Sequence, residues 1–253
     1  MSQFDRNYAA ARGAGADRAL AIDQGLRAYM LRVYNTMAMG VALTGIVAWL
    51  SFQAAVVTGA AGNIVGLTAF GQAVLSGPAM IVLFLGTLGL VFFISFRIQR
   101  LQVGTALGLF LLYAALLGLM LTTVFVVYTE ASIARVFFIS AASFGALSLY
   151  GYTTKRDLSP IGSFLIMGLF GVILAMVVNF FLKSSGLDFV ISIVGLLVFA
   201  GLTAWDTQKI KEMYDPQEDG TVTGRKAVMG ALALYLDFIN IFLFLLRFIG
   251  DRR

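Results

Sequence analysis

The sequence has no cysteine and no histidine among its 253 residues. That excludes disulfides, thiolate nucleophiles, most zinc and haem ligation, and any triad built on an imidazole base. Proline is scarce, at three residues, which leaves little scope for a proline-rich linker or tail. Charge is the other shortage. Lys, Arg, Asp and Glu together make up 12% of the chain, against roughly 25% in an ordinary soluble domain. No Gly-x-Gly-x-x-Gly or Walker pattern follows a strand, so nucleotide chemistry has no motif to stand on. Ser, Asp and Lys occur in spans and loops without a nucleophile–base spacing. The expectation is a protein that is not an enzyme and carries no cofactor.

What the chain has instead is apolar bulk, with 60% hydrophobic residues. A soluble core of this size could not keep so much apolar surface from water. A spanning helix needs about 20 mostly apolar residues. Seven runs of that kind stand out: Val33–Ala55, Ala79–Phe96, Gly104–Tyr128, Ile133–Tyr150, Ile161–Leu182, Phe189–Asp206 and Ala227–Phe248. They are long and unbroken, without the period-two alternation of a membrane barrel. The predicted fold is an all-α membrane protein, a seven-helix transmembrane bundle whose first partner is the lipid bilayer.

Ahead of the runs, residues 1–32 read as a polar, mobile tail turning helical near Asp23, and residues 33–250 as one transmembrane domain. The first apolar stretch starts too far along the chain, and is too long, for a cleaved signal. Two connections are longer than the rest. Val56–Pro78 is uncharged and rich in Gly and Ala, so it is expected at the interface or against the bundle; Tyr214–Lys226 is a charged loop. The glycines at 104, 108, 118, 145, 162, 168, 171, 195 and 201 read as close helix contacts. No internal repeat is visible, and inverted-repeat transporter folds gain no support.

The formal charge of +5 might suggest nucleic acid, but the basic residues sit in the tail and between apolar runs, which is a topology signal. With seven spans, thirteen of the eighteen Lys and Arg residues fall on the side of the N-terminus. The positive-inside rule then places the N-terminus in the cytoplasm. The basic end Gly250-Asp-Arg-Arg253 runs against this, and a re-entrant last span, or one span fewer, would reconcile it.

Ionisable residues inside spans are costly and functional by default. Asp237 lies ten residues into the last run, about 15 Å at 1.5 Å per residue, close to the midplane. Asn240 shares its face at i+3. Asp206 closes the sixth run, where Lys209 at i+3 is an alternative partner. The two spans are consecutive and antiparallel, so the carboxylates can meet. Two carboxylates in a low-dielectric site cannot both ionise comfortably; the pair then holds one proton and titrates as a unit. It also offers hard oxygen ligands to a transient Ca²⁺. Arg97 and Arg100 end the second run on the same side. Each either anchors that end by snorkelling or reaches the pair and locks it as an ion pair.

Three segments carry a family resemblance: Tyr150-Gly-Tyr-Thr-Thr-Lys-Arg-Asp-Leu158, Trp205-Asp-Thr-Gln-Lys-Ile210, and Leu234-Tyr-Leu-Asp-Phe-Ile-Asn-Ile-Phe242 with Leu245-Leu-Arg-Phe-Ile-Gly250. They resemble the bacterial branch of the transmembrane Bax inhibitor-1-containing family. The resemblance implies seven helices with the last one central. It implies a calcium leak gated by pH through an aspartate pair, at positions matched by Asp206 and Asp237. An arginine at the end of the second helix is implicated in the closed state, where Arg97 and Arg100 stand. The second run carries no Asp or Glu, unlike some bacterial relatives.

The leading expectation is therefore a pH-sensitive calcium (cation) leak channel of the cell inner membrane, with Ca²⁺ as permeant ion, Asp206, Asp237, Arg97 and Arg100 in gating, and Asn240 in pore lining. The alternatives are a regulatory membrane protein with a protein partner, a protease or a stress and cell-death modulator, and a proton-coupled secondary transporter.

Overall fold

Each of the seven apolar runs forms a helix in the computed structural model, which describes the backbone of residues 3–59 and 63–253 and, within those ranges, side chains from residue 22 onward. In chain order the elements are α1 (Gln3–Ala55), β1 (Val56–Thr58), β2 (Ile64–Leu67), α2 (Ala69–Val74), α3 (Gly77–Arg97), a 3₁₀ turn (Ile98–Arg100), α4 (Val103–Val127), α5 (Glu130–Thr153), α6 (Ser159–Leu182), α7 (Ser185–Glu212) and α8 (Gly220–Ile249). All but α2 are long and apolar enough to cross a membrane. The protein is an all-α membrane bundle.

Local chemistry starts and stops the helices where it must. A helix end leaves four backbone groups without intrahelical partners, and Ser, Thr and Asp side chains supply acceptors at N-termini. Ser76, Thr129, Ser184 and Asp219 accept from the backbone N–H of Ala79, Ser132, Leu187 and Thr221 at the starts of α3, α5, α7 and α8. Pro160 occupies the first turn of α6, where its missing N–H costs nothing. That helix ends on Lys183, in the left-handed region at φ 51°.

Burial separates the centre from the rim. Within its most apolar stretch α8 is 72% buried in protein, α7 44%, and the other five spans 11–33%. α8 packs against α1, α4, α5 and α7, whereas α6 leans on α7 and α3 on α4. The last helix is central. One knot shows how it is held. Tyr235 is fully buried, and its ring meets those of Phe110 and Tyr113 edge-on at 5.4 and 5.9 Å. Thr44 gives its single hydroxyl proton to the carbonyl of Ala114 at 2.9 Å, so the 2.6 Å contact between the two hydroxyls is donated by Tyr235. Three spans are joined there with every hydrogen accounted for.

One sequence expectation needs correction, and another gains detail. The tail was bounded at residue 32, but Tyr29 and Met30 are 3% exposed and belong to the core, with the Tyr29 ring 5.5 Å from that of Tyr214. Arg27 and Arg32 mask a helical face that begins well before Val33. Side chains of residues 1–21 lie outside the description. The connection after α1 was expected at the interface or on the bundle; it contains an antiparallel hairpin, Val56 pairing with Leu67 and Val57 with Gly66. Thr68 ties it back, its N–H donating to Ala55 O at 2.9 Å and its hydroxyl to Ala54 O at 2.7 Å.

The C-terminus docks on the turn between α4 and α5. Arg253 N–H donates to Val127 O, and Thr129 N–H to Asp251 O. Asp251 takes Arg135 at 2.8 Å, and Arg253 lies 3.6 Å from Glu130 and over the ring of Phe52. The basic end is thus anchored by acidic and aromatic partners where α8 emerges, so neither a re-entrant helix nor a lost span is needed. With α8 as the seventh crossing, the α5–α6 turn and the C-terminus lie on opposite faces. Because the chain lacks cysteine, Lys155→Cys and Arg252→Cys give clean single labels. An impermeant maleimide applied to one side of sealed vesicles should modify one of the two and not the other.

Candidate functional site

Antiparallel α7 and α8 set the register that makes the site. A Cβ on Gly230 would stand 3.0 Å from Ile210, the rings of Phe199 and Phe244 lie 5.9 Å apart, and Gly195 lies beneath Phe244. Between these contacts the same register brings Asp206 of α7 opposite Asp237 of α8. Their carboxyl groups lie close enough to interact directly. Asp237 is 4% exposed and Asp206 half-buried. The Oδ2 atom of Asp237 is buried with no hydrogen-bond donor among the described residues. Ionised carboxylates only accept, so this contact becomes a hydrogen bond when one of the two carries a proton.

The nearest cation is Lys209. Its charge acts on Asp206, but its ammonium rests over the face of Trp205, 4.8 Å from the ring centre, and no salt bridge to Asp206 forms. Among the described residues no group of three or more acidic, His or Cys side chains comes together. Two carboxylates are far short of the six to eight oxygens Ca²⁺ takes.

Residues beside Asp206 hold it in place, and the spacing of ionisable groups alone did not single them out. Thr207 donates to Thr203 O at 2.7 Å, so Ser148 donates to Thr207 at 2.9 Å and Tyr34 to Ser148 at 2.6 Å. That one-way chain of hydroxyls joins α1, α5 and α7. Gln208 pins the α5–α6 turn: its Oε1 accepts from Leu158 N–H and its Nε2 donates to Arg156 O, both at 2.8 Å. Lys211 donates to Tyr152 O near the end of α5. Gly151 lies against the Ala204 backbone and Gly162 against the Trp205 indole, each without room for a Cβ. Hence the Tyr150–Leu158 and Trp205–Ile210 segments are one packed unit. The sequence signal for it was the polar run Asp206-Thr-Gln-Lys209 continuing an apolar helix.

The remaining expected residues do not converge on the pair. Asn240 is half-buried and donates to Leu236 O of its own helix at 2.8 Å. Arg97 and Arg100 are exposed, and neither forms a salt bridge with Asp206 or Asp237. The reason is position: α3 packs on α4 at the rim, and the 3₁₀ turn after it meets the first turns of α8, near Arg225 and well before Asp237. The expected ion-pair lock is absent from this arrangement. Of the glycines read as helix contacts, Gly118, Gly162, Gly168, Gly195 and Gly201 are tight, but a Cβ at Gly104, Gly108, Gly145 or Gly171 would meet no atom within 4 Å.

A seven-span bundle whose central helix bears a buried aspartate, close to a second aspartate on the neighbouring span, is the class of protein defined here. Comparison with known proteins adds the family. Residues 26–253 match the family model described as Inhibitor of apoptosis-promoting Bax1. The chain is 47% identical over 231 residues to a Rickettsia prowazekii protein named only as uncharacterized, covering 91% of this chain and 92% of that one. It is 46% identical to the Escherichia coli inner membrane protein YbhL, over 90% and 94% of the two. A Caulobacter vibrioides protein, also uncharacterized, is 40% identical along the full length of both. The chain belongs to the Bax inhibitor-1 family.

The Gln208 latch can be tested by itself. Gln208→Ala leaves the buried Leu158 N–H without its acceptor, and an unsatisfied buried group costs about 1–3 kcal/mol. The variant should melt at a lower temperature in detergent; an unchanged transition would deny the latch a structural role.

Proposed function

We propose that this protein is a pH-sensitive cation leak channel, with calcium as the permeant ion and the Asp206–Asp237 pair as its gate. The observation carrying the reading is the meeting of two carboxyl groups on adjacent spans, one of them almost fully buried. With one proton shared between them, the carboxyl groups hold α7 and α8 together on that side. Loss of the proton leaves two negative charges in a poorly hydrated place, where repulsion is strong. The helices then separate, and the same oxygens become ligands for a passing divalent cation. Lys209 is the charged neighbour that biases the pair, and it belongs to the same helix as Asp206.

The positive-inside rule supports a cytoplasmic N-terminus, and the likeness to the inner membrane protein YbhL supports the inner membrane. In that orientation the shared proton exchanges with the cytoplasmic side, because Asp206 lies six residues, about 9 Å, from the end of α7 at Glu212. Arg97 and Arg100, exposed and away from the pair, serve in this reading as interface anchors.

The test is calcium entry into dye-loaded proteoliposomes across a pH series. Wild-type flux should rise with pH as the pair loses its proton. Asp206→Asn and Asp237→Asn should each flatten that profile, since a single carboxyl has no repulsion to release. Arg97→Gln and Arg100→Gln should leave its midpoint unchanged. A pH profile that survives both aspartate substitutions would overturn the gate.

A further inference from the structure

α1 and α5 both pack on α8 yet hardly touch one another. Three cavities fill the seam between them. The first, about 410 Å³, has Arg27, Tyr34, Gly145 and Tyr152 in its lining. The second, about 350 Å³, shares Tyr34 and Phe144 with it. The third, about 380 Å³, shares Val41, Phe137 and Phe238 with the second and ends at Trp49 and Glu130. A furrow thus runs along the side of the bundle, with exposed lips such as Leu31 and Leu149 and a buried floor of Met30, Met37 and Phe144. Glycines help keep it open. Gly145 lines the first cavity and Gly45 the third, and a Cβ on either would meet no atom within 4 Å.

Something must fill this furrow in a membrane, and its chemistry selects the occupant. A buried water needs two to four polar partners. Of the three hydroxyls that line the first cavity, those of Tyr34 and Ser148 are already engaged with each other and with Thr207, and the rest of the furrow's lining is mainly apolar. The occupant is therefore apolar. The space is divided into three linked cavities of about 350–410 Å³. A single flexible chain suits a string of smaller linked spaces. The two ends also differ. No acidic side chain lines the first cavity, whose mouth carries the exposed Arg27, and Lys211 sits 5.3 Å over the ring of Tyr152. At the far end Glu130 faces Arg253.

We propose that the α1–α5 furrow is a binding site for an anionic phospholipid, with one acyl chain in the furrow and the phosphate at Arg27. The probe is chain-spin-labelled phosphatidylglycerol, beside its phosphatidylcholine counterpart, in vesicles of three parts phosphatidylcholine to one part phosphatidylglycerol containing the full-length protein. Wild type should hold a motionally restricted population of the anionic lipid beyond that of the neutral one. Gly145→Leu fills the first cavity and should abolish that excess. Arg27→Gln should cut the preference for the anionic lipid about fivefold, the effect of one basic residue at an anionic surface, while a restricted chain remains.

Cross-linking is run on the same samples. If Gly145→Leu leaves the excess intact, or instead dissolves a cross-linked dimer, the seam is not a lipid site and the proposal falls. An Arg27→Gln variant with undiminished preference overturns the phosphate contact. Should Gly145→Leu fail to fold, Gly45→Leu in the third cavity carries the same measurement with the same two outcomes.

Discussion

Inside a bilayer no water is available to a stranded polar group, so each hydrogen-bonding atom among the spans must find its partner in the protein. Most of this structure follows from that one constraint. Thr87, Ser95, Ser140, Ser192 and Thr203 return their hydroxyl protons to carbonyls three or four residues back on their own helices. Tyr235 hands its proton to Thr44, and Tyr34 passes a chain of donations through Ser148 to Thr207. These links stitch α1, α4, α5 and α7 to one another and to the central helix at points where apolar contact alone would be no more favourable than lipid.

Against that background the aspartate pair meets the rule only conditionally, and the buried hydroxyls of Tyr29 and Thr122 have no partner among the described residues. Asp237 is buried, and one of its oxygens lacks a donor. On the proposed gating, a shared proton satisfies the pair and ties the state of the bundle to the protons available to it. Gln208, Lys211 and Thr207 fasten α7 to α5 and to the turn before α6 on the sides away from α8. The proposed gating acts at the contact between α7 and α8.

Much of this was legible beforehand. Seven apolar runs announce seven helices, and the charge-free stretches between Lys and Arg clusters announce their alternation across the membrane. Asp237 announces itself because a charge in mid-span is expensive. Asp206 was harder, since it stands where an apolar run gives way to Lys209 and Lys211, and a surface ion pair would have explained it equally well. Tyr29 and Met30 were hidden by Arg27 and Arg32. Periodicity is blurred where a helix leaves the membrane, because long basic side chains can reach water from a partly buried face. The hairpin after α1 was hidden for another reason: strands of three and four residues without charged residues look like any Gly- and Ala-rich loop.

By itself the sequence determined that the chain lives in lipid, that it crosses seven times, and which acidic residues bear the cost of being there. Those properties depend on composition and run length, which are local and additive. Only the tertiary structure decided that Asp206 turns toward Asp237 rather than Lys209, that Arg97 and Arg100 stand apart, and that α1 and α5 leave a furrow between them. Each of these is a matter of helix register and rotation, set by where Gly230 admits Ile210, where Phe244 covers Gly195, and where Trp205 lies over Gly162. Such contacts join residues far apart in the chain, and no count along the sequence contains them.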